Sequence, residues 1–513
     1  MRNGTQQTIL GVRLRATLTS PWPRSIGLLC LIFSAAIASP AQEEQPATNA
    51  VGFQTLVNFD GNSGYYPGLN LVQGFDGSLY GTTEGTAGTV FKITPSGTLT
   101  TIYNFCFGFP TCTSGANPSQ SGALALDTNG NFYGATGNGG SAGGGTIFKV
   151  TPSGTLTTLY NVCSSPNRID GCINTSGVVR GQDGNFYGVM AGGGANDAPL
   201  CSLNGPGCGT VFKITPAGTL TTIYNFCSQA NCADGAIPYA ALVSGRDGSL
   251  YGIASAGGAY GVGTVFKITP GGKLTTLHSF DFTDGAFANV GAPMIQATNG
   301  NFYGTTYYGG TNGFPPSNFF SAGTVFEITP AGEFQTLYNF CSQSNCADGG
   351  APLGLVQGSD GNFYGAASLG GLYGFGTLFK ITPAGVLTPL HSFGNTDGAF
   401  PEGLIQATNG KFYGETQSGG TNGDGTVFSL SAGLRPFVET LPTLGKVGEL
   451  IKILGTNLTG VTGVSFNGTP AAFRVVSGSL ILAAVPTGAT SGFVTVTTST
   501  STLKSAVKFI VLP

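Results

Sequence analysis

Few residues in this chain could carry acid–base, nucleophilic or metal chemistry. In 513 residues there are two histidines, His278 and His391, 23 Asp and Glu, and 11 cysteines. Ten cysteines lie beyond Cys30 and form close pairs: Cys106/Cys112, Cys163/Cys172, Cys201/Cys208, Cys227/Cys232 and Cys341/Cys346. Zinc would call for a CxxC pair or more histidines, and neither is present. In an exported chain, five local pairs read as five loop-closing disulfides, although spacing alone does not fix connectivity.

Each histidine sits in a recurring heptad, LTTLHSF or LTPLHSF. Other copies have Tyr103, Tyr160, Tyr224 or Tyr338 in that slot, and Val57 once. A slot shared by tyrosine and histidine is a packing position with a polar tip. No Ser-His-Asp arrangement follows from it. Most aspartates stand in turns: Asp76, Asp183, Asp247 and Asp360 in hairpins, and Asp60, Asp170, Asp234, Asp284, Asp348 and Asp397 between units. Turn formation accounts for them. Calcium at the second group is an alternative, but Ca²⁺ wants several oxygen ligands and the sequence has no dense acidic cluster. A paired-carboxylate glycosidase is a further alternative, yet nothing singles out a pair. Glycine runs such as GNGGSAGGG have no Walker lysine and join strand to strand, so they are not phosphate loops. No catalytic residue, metal or cofactor is assigned.

The elements that hold these residues are repeats. Tyr-Gly recurs at Tyr80, Tyr133, Tyr187, Tyr251, Tyr303, Tyr364 and Tyr413. A Gly-Thr-aliphatic-Phe motif follows at Gly88, Gly145, Gly209, Gly263, Gly323, Gly376 and Gly425. The LTTLYNF-type heptad begins at Phe53, Leu99, Leu156, Leu220, Leu274, Phe334 and Leu387. Each unit resolves into four short strands separated by Asp-Gly, Asn-Gly or Pro-Ala/Ser-Gly turns. With 86 Gly, 28 Pro and 8% charged residues, an all-β fold is expected. Seven four-stranded units imply a seven-bladed β-propeller over 53–432. The region opens on a lone fourth strand, FQTLVNF, and ends at GTVFSLS without one, so the first strand can complete the last blade.

The motifs FYG, GTVFKITP and LTTLYNF resemble the GloVer-type tandem repeat of bacterial secreted proteins, sometimes described as choice-of-anchor proteins, over about 53–431. That resemblance implies a surface or extracellular location and transfers no catalytic residue. Residues 433–513 lack the repeat and contain no cysteine. Their short alternating runs fit a small β-sandwich. LPTLGKVGELIKILGTNL, VSFNGTPAAF and AAVPTGATSGFVTV are similar to an IPT/TIG domain, which implies an immunoglobulin-like spacer or binding module.

Residues 1–41 read as a signal peptide: Arg2, Arg13, Arg15 and Arg24, then IGLLCLIFSAAIAS, with cleavage near Ala38 or Ala41. The apolar run is too short for a comfortable membrane span, and no later segment is apolar enough. Lipidation at Cys30 is disfavoured by Leu29 and by the apolar residues that follow. Residues 42–52 read as a flexible leader. The signal segment holds four of the 20 Lys and Arg and no acidic residue, so the mature chain is mildly acidic, without a basic run, and nucleic acid is not an expected partner.

Loop length marks one face of the ring. Tyr-Gly to Gly-Thr spans 11 residues in four units and 7 in one, but 21 in unit three (188–209) and 19 in unit five (304–323). All five cysteine pairs map to that face. The unit-five loop carries Tyr307, Tyr308, Phe314, Phe319 and Phe320. These rings either stack on sugars or anchor a protein, or they pack on one another and on the next blade. The expected function is a secreted or cell-surface, non-catalytic binding protein with a polysaccharide or surface-protein partner. An extracellular carbohydrate-active enzyme and a structural envelope protein are the alternatives.

Overall fold

The computed structural model describes residues 52–513 apart from 69–70, 86, 107–111, 119–123, 205, 287–292 and 314–321. Residues 1–51, which include the expected signal peptide and most of the expected leader, lie outside the described residues, as do Phe314, Phe319 and Phe320. No described helix is long and apolar enough to cross a membrane. The described fold is all-β apart from five short 3-10 turns.

Residues 52–431 form antiparallel sheets, each of four or five strands. Sheet 1 runs Val72–Gln73, Leu79–Thr83, Thr89–Ile93 and Leu99–Asn104 in neighbour order, and sheets 2 to 6 repeat this plan. Sheet 7 takes Ala399–Gln406, Phe412–Ser418 and Thr426–Ser431 from the end of the region and Gly52–Asn58 from its start. Phe53 pairs with Leu430 and Asn58 with Thr426, so the first strand supplies the fourth strand of the last sheet.

The apolar core lies between sheets. Tyr80 and Phe148 share a cluster across sheets 1 and 2, and Tyr133 and Phe212 share one across sheets 2 and 3. The same occurs for each following pair. A seventh cluster joins Leu79 and Phe91 of sheet 1 to Tyr413 and Val427 of sheet 7. Among the described residues, each sheet packs on the next and the last on the first, a closed, propeller-like arrangement.

The Tyr-Gly motif has a steric cause. Each glycine lies directly opposite the phenylalanine of the next strand, as Gly252 does opposite Phe266. A Cβ on Gly252 would stand 2.5 Å from the Phe266 ring. The missing side chain is the space that the cross-strand ring fills.

Residues 439–512 form a separate β-sandwich. One sheet holds Glu439–Leu441, Leu450–Leu454, Leu480–Ala484 and Phe473–Ser477, and the other Thr469–Pro470, Val461–Phe466, Val494–Thr498 and Thr502–Lys504. Ile451, Ile453 and Ile481 meet Val464, Phe466 and Val496 in one core. The sandwich seats on the hairpin-turn side of the ring: Ser479 Oγ donates to Phe75 O (2.7 Å) and Phe437 N to Thr408 O (3.0 Å). Between the two bodies is a cleft of about 250 Å³, bordered by Arg180, Arg246 and Lys508.

Candidate functional site

The side of the ring away from the sandwich is built from the loops between second and third strands and the crossings between sheets. The two sets are tied together by one repeated bond. Gly194 N donates to Arg168 O, Gly258 N to Cys232 O and Gly371 N to Cys346 O, each at 2.9 Å. The five disulfides brace these segments: Cys106–Cys112, Cys163–Cys172, Cys201–Cys208, Cys227–Cys232 and Cys341–Cys346. The sulfurs of Cys201, Cys208 and Cys227 lie within 4.8 Å of one another. All three are in disulfides, so none is a thiolate ready to bind a metal. Five disulfides point to an oxidising, extracellular or cell-surface location.

The histidines are held as their tyrosine counterparts are. Tyr224 and Tyr338 donate to Asp234 and Asp348 at 2.8 and 2.7 Å. His278 and His391 reach Asp284 and Asp397 through Nε2 at 2.6 and 2.8 Å. His278 stacks on Phe334 and His391 on Phe53, with ring centroids 3.8 and 3.7 Å apart. Phe334 and Phe53 are the two heptad positions where the other five copies have leucine. Histidine on one sheet and phenylalanine on the next therefore go together. Burial holds the His391 imidazole below its ordinary value of 6.5, with Asp397 opposing. These contacts lock loops.

The crossing aspartates do more than make turns. Asp234 accepts from Ser228 N and Oγ and from Gln229 N as well as from Tyr224. Asp348 repeats the pattern with Ser342, Gln343 and Tyr338. With their oxygens taken by donors, both act as loop clamps. The hairpin aspartates are partnered too: Tyr251 Oη and Lys267 Nζ reach Asp247 Oδ2 at 2.9 and 2.7 Å. Asp183, in the equivalent place, is held down at about 2 by hydrogen bonds from Asn185, Tyr187 and Lys213, which outweigh the opposing effect of burial.

Of the aromatic residues expected at the unit-five loop, two are described. Tyr307 and Tyr308 are half-buried and pack edge to face, with centroids 4.7 Å apart. Among the described residues, the exposed rings on this side are others. Tyr260 and Tyr373 are 66% and 64% exposed at the tips of the second-to-third loops of sheets 4 and 6. Tyr66, 46% exposed, and Phe282, 49% exposed, stand in crossings of the same side. The signal for the first two was available: tyrosine in GGAYGVG and GGLYGFG, where units two and seven have GGSAGGG and GGTNGDG.

Sequence reading also missed a pair of carboxylates. Glu402 and Glu415 lie on adjacent strands of sheet 7, with 5% and 1% of their surfaces exposed. Pro401 pairs with Thr416 and Leu404 with Gly414, so Glu402 and Gly403 together oppose Glu415 across a bulge. Glu402 Oε2 and both oxygens of Glu415 have no hydrogen-bond partner. Burial pushes both carboxyls well above their ordinary values; Glu84 adds to the rise at Glu402, and Glu402 to that at Glu415. A glycosidase needs its two carboxyls facing a sugar that can enter between them. These two are closed off from solvent.

A family model described as the Gloeobacter/Verrucomicrobia repeat matches residues 45–199, 174–347 and 317–448. The chain belongs to this repeat family. No curated protein matches the chain. Among solved structures it is similar to a fungal alcohol oxidase in complex with copper, at 15% identity and TM-score 0.49, covering 87% of this chain and 98% of that one. It is also similar to the extracellular domain of a hybrid two-component system from B. thetaiotaomicron, at 12% identity and TM-score 0.48, covering 90% of this chain and 59% of the other. PorZ, a surface component of the type-IX secretion system of Porphyromonas gingivalis, gives 13% identity and TM-score 0.45, with 89% and 61% covered. At these values the likenesses carry no activity, location or partner over to this repeat protein.

Proposed function

We propose that this repeat protein is a secreted or cell-surface, non-catalytic binding protein whose disulfide-braced face takes polysaccharide. In this reading residues 1–41 are a cleaved signal peptide and 42–52 a flexible leader. Residues 53–432 are a seven-bladed β-propeller, and 433–513 an IPT/TIG-type immunoglobulin-like domain that acts as a spacer on the opposite face. The observation that carries the reading is the set of outward rings, Tyr66, Tyr260, Phe282 and Tyr373, on the side that the sandwich leaves open. Aromatic faces stack on the apolar faces of sugar rings at little entropic cost. Rigid strands position the loops that bear them. Tyr307, Tyr308, Phe314, Phe319 and Phe320 of the unit-five loop are proposed as further binding residues.

The test is a glycan array probed with the disulfide-intact chain, followed by titration of any hit. The paired variant Tyr260→Ala/Tyr373→Ala should weaken binding at least tenfold and leave the melting temperature in place. Turnover of a bound polysaccharide, or a hit unaffected by the paired variant, would sink the reading.

A further inference from the structure

We propose that Glu402 and Glu415 are ligands of a divalent, oxygen-seeking cation of the Ca²⁺ kind, seated where the last sheet of the ring meets the first. The position follows from the strand. Tyr413, two residues before Glu415 and on the same strand side, packs in the cluster shared with Leu71, Leu79 and Phe91 of sheet 1. Glu84, just past Leu79–Thr83 of sheet 1, lies close enough to act electrostatically on Glu402. The strand side that carries Glu415 is therefore the one that meets sheet 1, and Glu84 of that sheet acts on Glu402.

Three observations point to a ligand. First, three carboxylate oxygens are buried and accept no hydrogen bond. A carboxyl buried without partners either keeps its proton or ionises onto a bound cation. Second, among the described residues no lysine, arginine or histidine forms an ion pair with either glutamate. Third, the fold itself does not call for acids here. Sheet 6 has the same bulge, with Pro352 opposite Ala367 and Leu355 opposite Gly365. There the positions of Glu402 and Glu415 are occupied by Leu353 and Ala366, an apolar pair that fills the space without charge. Sheet 7 replaces an apolar pair by two carboxyls at the joint that closes the ring.

The donor set is oxygen alone, which suits Ca²⁺ or another hard cation and not zinc or copper. Glu84 does not form a three-carboxylate group with them among the described residues, so its part is to add negative charge nearby. A cation there would let both carboxyls ionise and would brace the joint between sheet 7 and sheet 1.

The experiment uses the disulfide-intact chain, stripped with EGTA and then titrated with CaCl₂, with binding read by equilibrium dialysis and stability by thermal melting. One site is expected, and Ca²⁺ at a hundredfold excess over its dissociation constant should raise the melting temperature by about 3 °C. The paired variant Glu402→Leu/Glu415→Ala installs the sheet-6 pair. It should fold, bind no Ca²⁺ and melt at or above the EGTA-treated parent without responding to the cation. No bound Ca²⁺ in the parent, or an equal Ca²⁺ response in the variant, overturns the proposal.

Discussion

The joint at the first strand can be measured by breaking one stack. Phe53 lies on Gly52–Asn58, with its ring 3.7 Å from that of His391 and inclined to it by 7°. It also touches Phe393 and Phe428, at centroid distances of 5.6 and 5.4 Å. Full loss of a buried phenylalanine costs about 3–5 kcal/mol. Phe53 is half-buried, so about 2 kcal/mol belongs to Phe53→Ala through burial alone, and the aromatic contact adds about 1 kcal/mol. Phe53→Leu restores the residue found in five other heptads and should lose only the stack, about 1 kcal/mol. His391→Tyr installs the residue that most other copies carry. Urea unfolding followed by far-ultraviolet circular dichroism suits all these variants, because the one tryptophan, Trp22, lies outside the folded, described residues and would not report on them. A double-mutant cycle of Phe53→Leu with His391→Tyr should show a coupling of about 0.5–1.5 kcal/mol. Additive losses, within about 0.3 kcal/mol, would refute the claim that this stack holds the closing strand.

Further outcomes follow from other contacts. His391 is held below its ordinary pKa, so the unfolded chain binds more protons in the window between that depressed value and 6.5. Its contribution to stability is therefore present above about pH 6.5 and falls as pH drops through that window, and His391→Tyr should remove this component from a pH series of melts. Cys201→Ala/Cys208→Ala opens a loop with a sequence separation of 7 and should cost about 2 kcal/mol, read as a lower unfolding midpoint. Gly252→Ala drives a methyl to 2.5 Å from the Phe266 ring and should cost about 1–3 kcal/mol in the same assay. A stable Gly252→Ala protein would mean that the ring has room to move.

Much of the ring was readable because its signals are local. Tyr-Gly, Gly-Thr and the heptad each mark one strand, and glycine opposite phenylalanine is a contact between neighbours in sequence. The closing strand was readable from motif order alone. Glu402 and Glu415 were not, since each is an ordinary glutamate until the bulge sets one against the other and folding buries both. The same holds for the clamps: Asp234 and Asp348 look like turn formers, and their tyrosine partners ten residues earlier become visible only when the crossing folds back. The seating of the sandwich depends on Ser479 meeting Phe75, 404 residues away in the chain, and no short pattern announces that.

The first strand also sets the order in which the molecule can be finished. Asn58 is the hydrogen-bond partner of Thr421, 363 residues later, so a chain emerging from its N-terminus holds an unpaired strand until nearly all the rest has appeared. Until then the sheets form an arc with two raw edges, each able to pair with a second molecule. The interfaces between consecutive sheets are short-range and can assemble as the chain grows, whereas the last one waits on a single long loop closure. Maturation of this protein thus ends in one slow, concentration-sensitive choice: the strand returns to its own chain, or it is lent to a neighbour.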